Sequence, residues 1–207
     1  MAKLDQLFVS TVYRAALLGG ASGETLREDL ARSARAIAAQ DTAGQAWCRK
    51  HAYKGYTSYA SLQDLPWRDP VIADLVKRLD AHVARFADAL EYDLDGRALE
   101  FDSLWDNILE PGGRHTAHIH PNSVISGTYY VALPKGAAGL KFEDPRLAQM
   151  MAAPRRKADA SEGNRTFVEV TPEPGTVLLW ESYLRHEVPE TRGRGERISI
   201  SFNYRLA

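Results

Sequence analysis

The run Arg197–Tyr204 (RISISFNY) alternates polar and apolar side chains without a break: Arg197, Ser199, Ser201 and Asn203 against Ile198, Ile200 and Phe202. Strand side chains project to opposite faces in turn, so the segment carries one apolar and one polar face. A helix would scatter both classes around its axis. The same texture fills the second half of the chain. Strands are predicted at Leu99–Glu110, Thr116–His120, Val124–Leu133, Leu140–Phe142, Thr166–Val170, Thr176–Trp180, His186–Val188 and Arg197–Tyr204, with Gly and Pro between them. Eight short strands at this spacing suggest a sandwich or jelly roll, not a parallel α/β sheet.

Two helices are predicted ahead of the strands. Glu24–Gln40 repeats Leu26, Leu30, Ala34 and Ile37 at helical spacing, after a capping start at Ser22 and Gly23. Asp69–Leu90 carries Ile72, Leu75, Val76, Leu79, Val83, Phe86 and Leu90, with Pro70 in the first turn behind the cap Asp69. Their apolar faces need a partner, and the strands supply it. The expected fold class is α+β, mainly β. One domain is expected over residues 1–207, with 1–97 as a helical and strand support region and 98–207 as the core.

Composition removes several function classes. The 207 residues hold 26 basic and 27 acidic side chains, so no general pull on nucleic acid or anionic membrane is expected. No window approaches a transmembrane span, and the start lacks a clean signal-peptide core. The single Cys48 cannot form an internal disulfide, which suits a reducing compartment, and a cytoplasmic chain is expected. GxGxxG, Walker A, GxSxG and CxxC motifs are all missing. The longest unstructured stretch, Asp144–Arg165, is locally basic and long enough to be a functional lid or a solvated loop.

Histidine is the informative residue. His118 and His120 in RHTAHIHP stand two apart, which on a strand projects both imidazoles from one face, and Pro121 ends the strand at once. Such a pair suits zinc, iron, nickel or copper. A third histidine, His186, follows the apolar run Val177–Trp180 and begins another strand. Alone, the pair also fits exposed strand-end histidines, and His186 fits a hydrogen-bonded residue beside Glu187. If the apolar face of the last strand packs on the helices, Arg197, Ser199 and Asn203 point into the barrel. A guanidinium there needs an anionic partner.

The ordered blocks HIHPNSVISGTYYV, LKFEDPR, PGTVLLWESYLRHEV and RISISFN resemble a bacterial and phage family of 2-oxoglutarate and Fe(II)-dependent oxygenases. Its members carry HxHPxS…SGxYY, DPR, GxLxxFxSxxxH and a terminal RxSxxFN, and the resemblance spans Trp105–Tyr204. It implies a double-stranded β-helix, or jelly roll, with Fe(II) at the barrel mouth and 2-oxoglutarate as cosubstrate. The reaction it implies is hydroxylation with release of succinate and carbon dioxide. Position by position, His118 and His186 match the histidine ligands. Arg197 matches the arginine that holds the distal carboxylate of 2-oxoglutarate, with Ser199 beside it. Asn107 and Tyr130 match further cosubstrate contacts.

Most of the wider superfamily has an acid where this chain has His120. His120 is expected to be the third ligand; the alternative is a water, Glu181 or Asp144 in that position. Two other readings stay open. A cupin would share the barrel and the histidines but lacks its acid between Asn122 and Ser126, and a non-catalytic jelly-roll binding protein would use the histidines structurally. The prime substrate, small molecule or peptide-like, is not legible. A homodimer is left open, and no nucleic-acid or membrane partner is expected.

Overall fold

Residues 2–207 are described by a computed structural model. In chain order the elements are β1 (Val12–Ala16), α1 (Gly20–Gln40), α2 (Thr42–Lys50), β2 (Gly55–Thr57), α3 (Leu65–Arg68), α4 (Pro70–Ala89), β3 (Leu99–Leu109), β4 (His115–His118), β5 (Ile125–Ala132), β6 (Leu140–Glu143), β7 (Phe167–Val170), β8 (Thr176–Glu181), β9 (His186–Val188) and β10 (Arg197–Leu206). The strands form two antiparallel sheets. The large sheet runs β1-β8-β5-β10-β3-β2, and the small one β4-β9-β6-β7.

The alternation in β10 sorts the layers. Ile198, Ile200 and Phe202 join Leu104 and Ile108 of β3, Tyr129 of β5 and Leu179 of β8 on one face of the large sheet. Leu30 and Ala34 of α1 and Ile72, Leu75, Leu79 and Phe86 of α4 pack onto that face. Between the two sheets a second cluster forms from Leu109, Tyr130, Leu140, Phe142, Leu178, Trp180 and Val188. The result is a mainly β jelly roll with its helices on one sheet. No helix among the described residues is long and apolar enough to cross a membrane.

Local chemistry sets the ends. Asp69 caps α4 by accepting from the Val71 N–H at 2.9 Å, with Pro70 in the first turn. Helix α1 begins at Gly20, ahead of the expected start at Ser22–Gly23. A Cβ at Gly23 would lie 2.5 Å from the Leu18 carbonyl oxygen, so glycine there serves close packing inside the helix and not a cap. Strand β4 ends at His118, two residues before the expected His120. Strand β1 forms the outer edge of the large sheet beside β8 and is pinned to α4 by Tyr13 Oη and His82 Nδ1 at 2.8 Å. The 144–165 loop contains two short 3-10 turns and is largely exposed.

Candidate metal centre

His118 of β4 stands directly opposite His186 of β9. His120 lies just past the end of β4, where its N–H donates to the Ser182 carbonyl at 3.1 Å. One nitrogen from each of His118, His120 and His186 lies within 4.8 Å of the other two. The backbone fixes two of the rings. Nδ1 of His118 bonds the Thr116 carbonyl at 2.7 Å, and Nδ1 of His186 bonds the Leu184 carbonyl at 2.9 Å. A carbonyl accepts only, so both Nδ1 atoms carry the proton and both Nε2 atoms present lone pairs.

The donor set fits a divalent metal. His120 Nε2 lies 3.3 Å from His186 Nε2, where two ligands at about 2.1 Å and a right angle would stand about 3 Å apart. Burial, reinforced by the neighbouring imidazoles, lowers His120 to about 4 and His186 to about 3, so both stay neutral as ligation requires. Trp105 lies against His120 with ring centroids 5.6 Å apart, and Trp180 meets His186 edge-on at 4.7 Å. The two alternative carboxylates are engaged elsewhere. Glu181 accepts from the Tyr92 and Tyr183 hydroxyls, and Asp144 holds Arg146 through both oxygens.

The three histidines share a small cavity, of about 40 Å³, with Arg197, Ser199 and His115. The Arg197 side chain is fully buried and, among the described residues, pairs with no acid. Nη1 donates to Ser199 Oγ at 3.1 Å, and its guanidinium carbon sits 5.2 Å from the centre of the Tyr130 ring. Burial lowers the Arg197 pKa from its ordinary value. The Tyr130 hydroxyl is also buried. A buried cation without an acidic partner can receive an anionic ligand.

Of the other expected residues, Ser199 lines the cavity, and Asn107 stands behind the lining. Asn107 accepts from Thr57 Oγ1 at 2.9 Å and donates to Ser201 Oγ at 3.1 Å, so it steadies the wall. Asn203 likewise accepts from Ser126 and donates to Ser103, inside a buried polar network. Trp105 and His115 line the cavity and were not expected. His115 is three residues from His118, which on a regular strand would turn it to the opposite face. However, His115 pairs with Val188 and His118 with His186, so three steps on β4 match two on β9. The extra residue is a β-bulge, and it turns His115 inward.

The family described as "Putative 2OG-Fe(II) oxygenase" matches residues 103–203, from β3 through most of β10. Over that stretch, 101 of its 207 residues, the chain is similar to this oxygenase family. It is a 2-oxoglutarate- and Fe(II)-dependent oxygenase of the non-haem class, and neither the cupin nor the binding-protein alternative is favoured. Solved structures share the fold. A Pseudomonas putida prolyl-4-hydroxylase superposes with a TM-score of 0.61 at 15% identity over 96% of this chain and 94% of that one. AviO1 from Streptomyces viridochromogenes Tue57 gives 0.62 at 14% identity over 99% and 96%. HygX from Streptomyces hygroscopicus, with nickel and 2-oxoglutarate bound, gives 0.58 at 15% identity over 95% and 82%. Among curated proteins, none matches this sequence.

Proposed function

We propose that the chain hydroxylates a small-molecule or peptide-like substrate, with His118, His120 and His186 holding Fe(II) and Arg197 with Ser199 receiving the distal carboxylate of 2-oxoglutarate. The observation that carries this reading is the buried guanidinium of Arg197, without an acidic partner among the described residues, lining the same cavity as the three imidazoles. Bound there, iron and 2-oxoglutarate supply dioxygen activation coupled to decarboxylation to succinate and carbon dioxide.

The protein residues do the rest. The backbone bonds at His118 and His186 aim the lone pairs before metal arrives, so little ordering is left for binding. Three neutral imidazoles leave the full metal charge to attract an anionic chelate. Arg197 offers a planar, permanently charged fork for a carboxylate, held in register by Ser199. Trp105 and Trp180 wall the site against water. The buried, unpaired Cys48 suits a reducing compartment, and we infer a cytoplasmic setting.

The test is calorimetric titration of 2-oxoglutarate into metal-loaded wild type and Arg197→Ala, with succinate release then read across candidate substrates. Losing a charge-assisted bidentate contact in a dry pocket is worth about 2–5 kcal/mol, so the variant should bind at least about 30-fold more weakly at unchanged metal content. Metal-loaded wild type that fails to bind 2-oxoglutarate overturns the reading.

A further inference from the structure

The cavity holds one histidine that the metal reading does not use. His115 Nε2 lies 2.6 Å from the Tyr53 hydroxyl, and the two rings lie 5.6 Å apart. Tyr53 Oη makes no other hydrogen bond among the described residues. Burial pushes the phenol far above its usual range, so it keeps its proton and has one place to donate it, the His115 Nε2 lone pair. The imidazole is itself held neutral by burial first and by the Arg197 guanidinium nearby, its pKa lowered to about 3. A neutral ring that accepts at Nε2 carries its proton on Nδ1. Among the described residues Nδ1 has no hydrogen-bond partner, and the bulge in β4 turns this ring into the cavity that Arg197 and Ser199 line.

We propose that His115, fixed by Tyr53 as the Nδ1–H tautomer, donates a hydrogen bond to the distal carboxylate of 2-oxoglutarate beside Arg197. The proposal rests on the reading that this cavity takes 2-oxoglutarate, and deepens it. Arg197 supplies charge and His115 a neutral, directional donor. Tyr53 is then a positioning residue: it never reaches the ligand but decides which ring nitrogen faces it. Because a tautomer, not a charge, is set, the contact persists at any pH at which the metal stays bound.

The experiment compares two ligands on zinc-loaded protein. 2-Oxovalerate keeps the five-carbon 2-oxo acid and lacks the distal carboxylate. Calorimetric affinities for both acids are measured on wild type, Tyr53→Phe, His115→Gln and His115→Asn, with metal content determined in parallel. A hydrogen bond to a charged acceptor is worth about 10- to 100-fold in affinity. His115→Gln places its amide near Nε2 and should lose that factor for 2-oxoglutarate while binding 2-oxovalerate as wild type does. His115→Asn places an amide near Nδ1 and should keep most of the affinity. Tyr53→Phe should lose about 3- to 10-fold, because the ring is free to exchange tautomers. Long-range nitrogen–proton NMR of wild type should show His115 protonated on Nδ1.

Variants that weaken both acids equally would give His115 a structural role only and overturn the proposal, as would a ring protonated on Nε2. Wild type that binds the two acids equally would remove the distal-carboxylate site altogether. Discrimination between the two acids that is undiminished in His115→Gln overturns the proposal alone and leaves the oxygenase reading intact.

Discussion

Asp106 is fully buried on β3, on the face that packs against the helices, and among the described residues neither carboxylate oxygen has a hydrogen-bond partner. Its backbone is secured, with N–H accepted by Ser58 Oγ at 3.0 Å and carbonyl bonded by Ser58 N–H at 3.1 Å, so the side chain has little freedom to escape. Burial first, and the negative Asp69 second, raise its pKa from 3.8 to about 7. A raised carboxyl value means that the folded state holds the proton more tightly than the unfolded one. Stability is therefore lost as pH climbs from about 4 to 7, and the loss is complete above 7. At about 1.4 kcal/mol per pH unit the burden approaches about 4 kcal/mol at pH 8 and falls to about 2 kcal/mol at pH 5.

Asp106→Leu removes the charge among apolar neighbours. It should raise stability at pH 8 by about 2–4 kcal/mol, after allowance for imperfect packing. Asp106→Asn keeps an unpartnered amide and should gain less. The assay is urea unfolding of wild type and both variants at pH 8 and pH 5. Differences between proteins are needed because the buried His115, His120 and His186, whose folded values lie below 6.5, pull total stability the other way as acid is added. An Asp106→Leu gain that is absent at pH 8, or the same at both pH values, would refute the reasoning.

His118→Ala and His186→Ala should each abolish stoichiometric binding of a divalent ion, and His120→Ala should weaken it strongly; metal analysis after dialysis decides. Gly127 sits where a Cβ would come within 2.4 Å of the Phe202 ring and 2.7 Å of Leu179, so Gly127→Ala should lower unfolding stability by about 1–3 kcal/mol in denaturant titration. If the 144–165 loop is a lid, its exposed Arg155, Arg156 and Lys157 should become protected from trypsin on addition of the prime substrate, and identical cleavage with and without it would remove the lid.

The barrel is legible because its strands alternate, and the histidine cluster because His118 and His120 stand two apart at the end of one of them. Other parts follow rules that a linear pattern does not carry. Helices α2 and α3 span nine and four residues, too short to show an apolar period, and α2 is fixed instead by Asp41, which caps Gly44 and also accepts from Tyr56 and Ser61. Strand β1 reads as a mixed run because an edge strand buries only part of one face. His115 was hidden by the β4 bulge, since a spacing of three reads as the wrong face until one residue is left out of the count. Asn107 and Tyr130 follow from the resemblance and not from spacing: Asn107 is bonded to Thr57 and Ser201, and the Tyr130 ring lies against the Arg197 guanidinium.

Among the residues lining the cavity none is acidic, and with neutral imidazoles Arg197 is the only formal charge. Its burial is costly in the free protein, because Ser199, the Ala138 carbonyl and the Tyr130 ring replace only part of its hydration. If this cavity takes 2-oxoglutarate as proposed, the same feature would ready it for a dianion, so stability and cosubstrate affinity should move in opposite directions at this residue. Arg197→Met keeps most of the volume without the charge. The metal-free variant should unfold at higher denaturant than wild type, by about 1–3 kcal/mol. In the metal-loaded wild type, 2-oxoglutarate at about 100 times its dissociation constant should add about 2.7 kcal/mol, or about 5–10 °C in Tm, and the variant should show almost none of that shift. A metal-free Arg197→Met that is less stable than wild type would mean that the guanidinium is a structural strut, and a variant that keeps the ligand shift would mean that the dianion is held elsewhere.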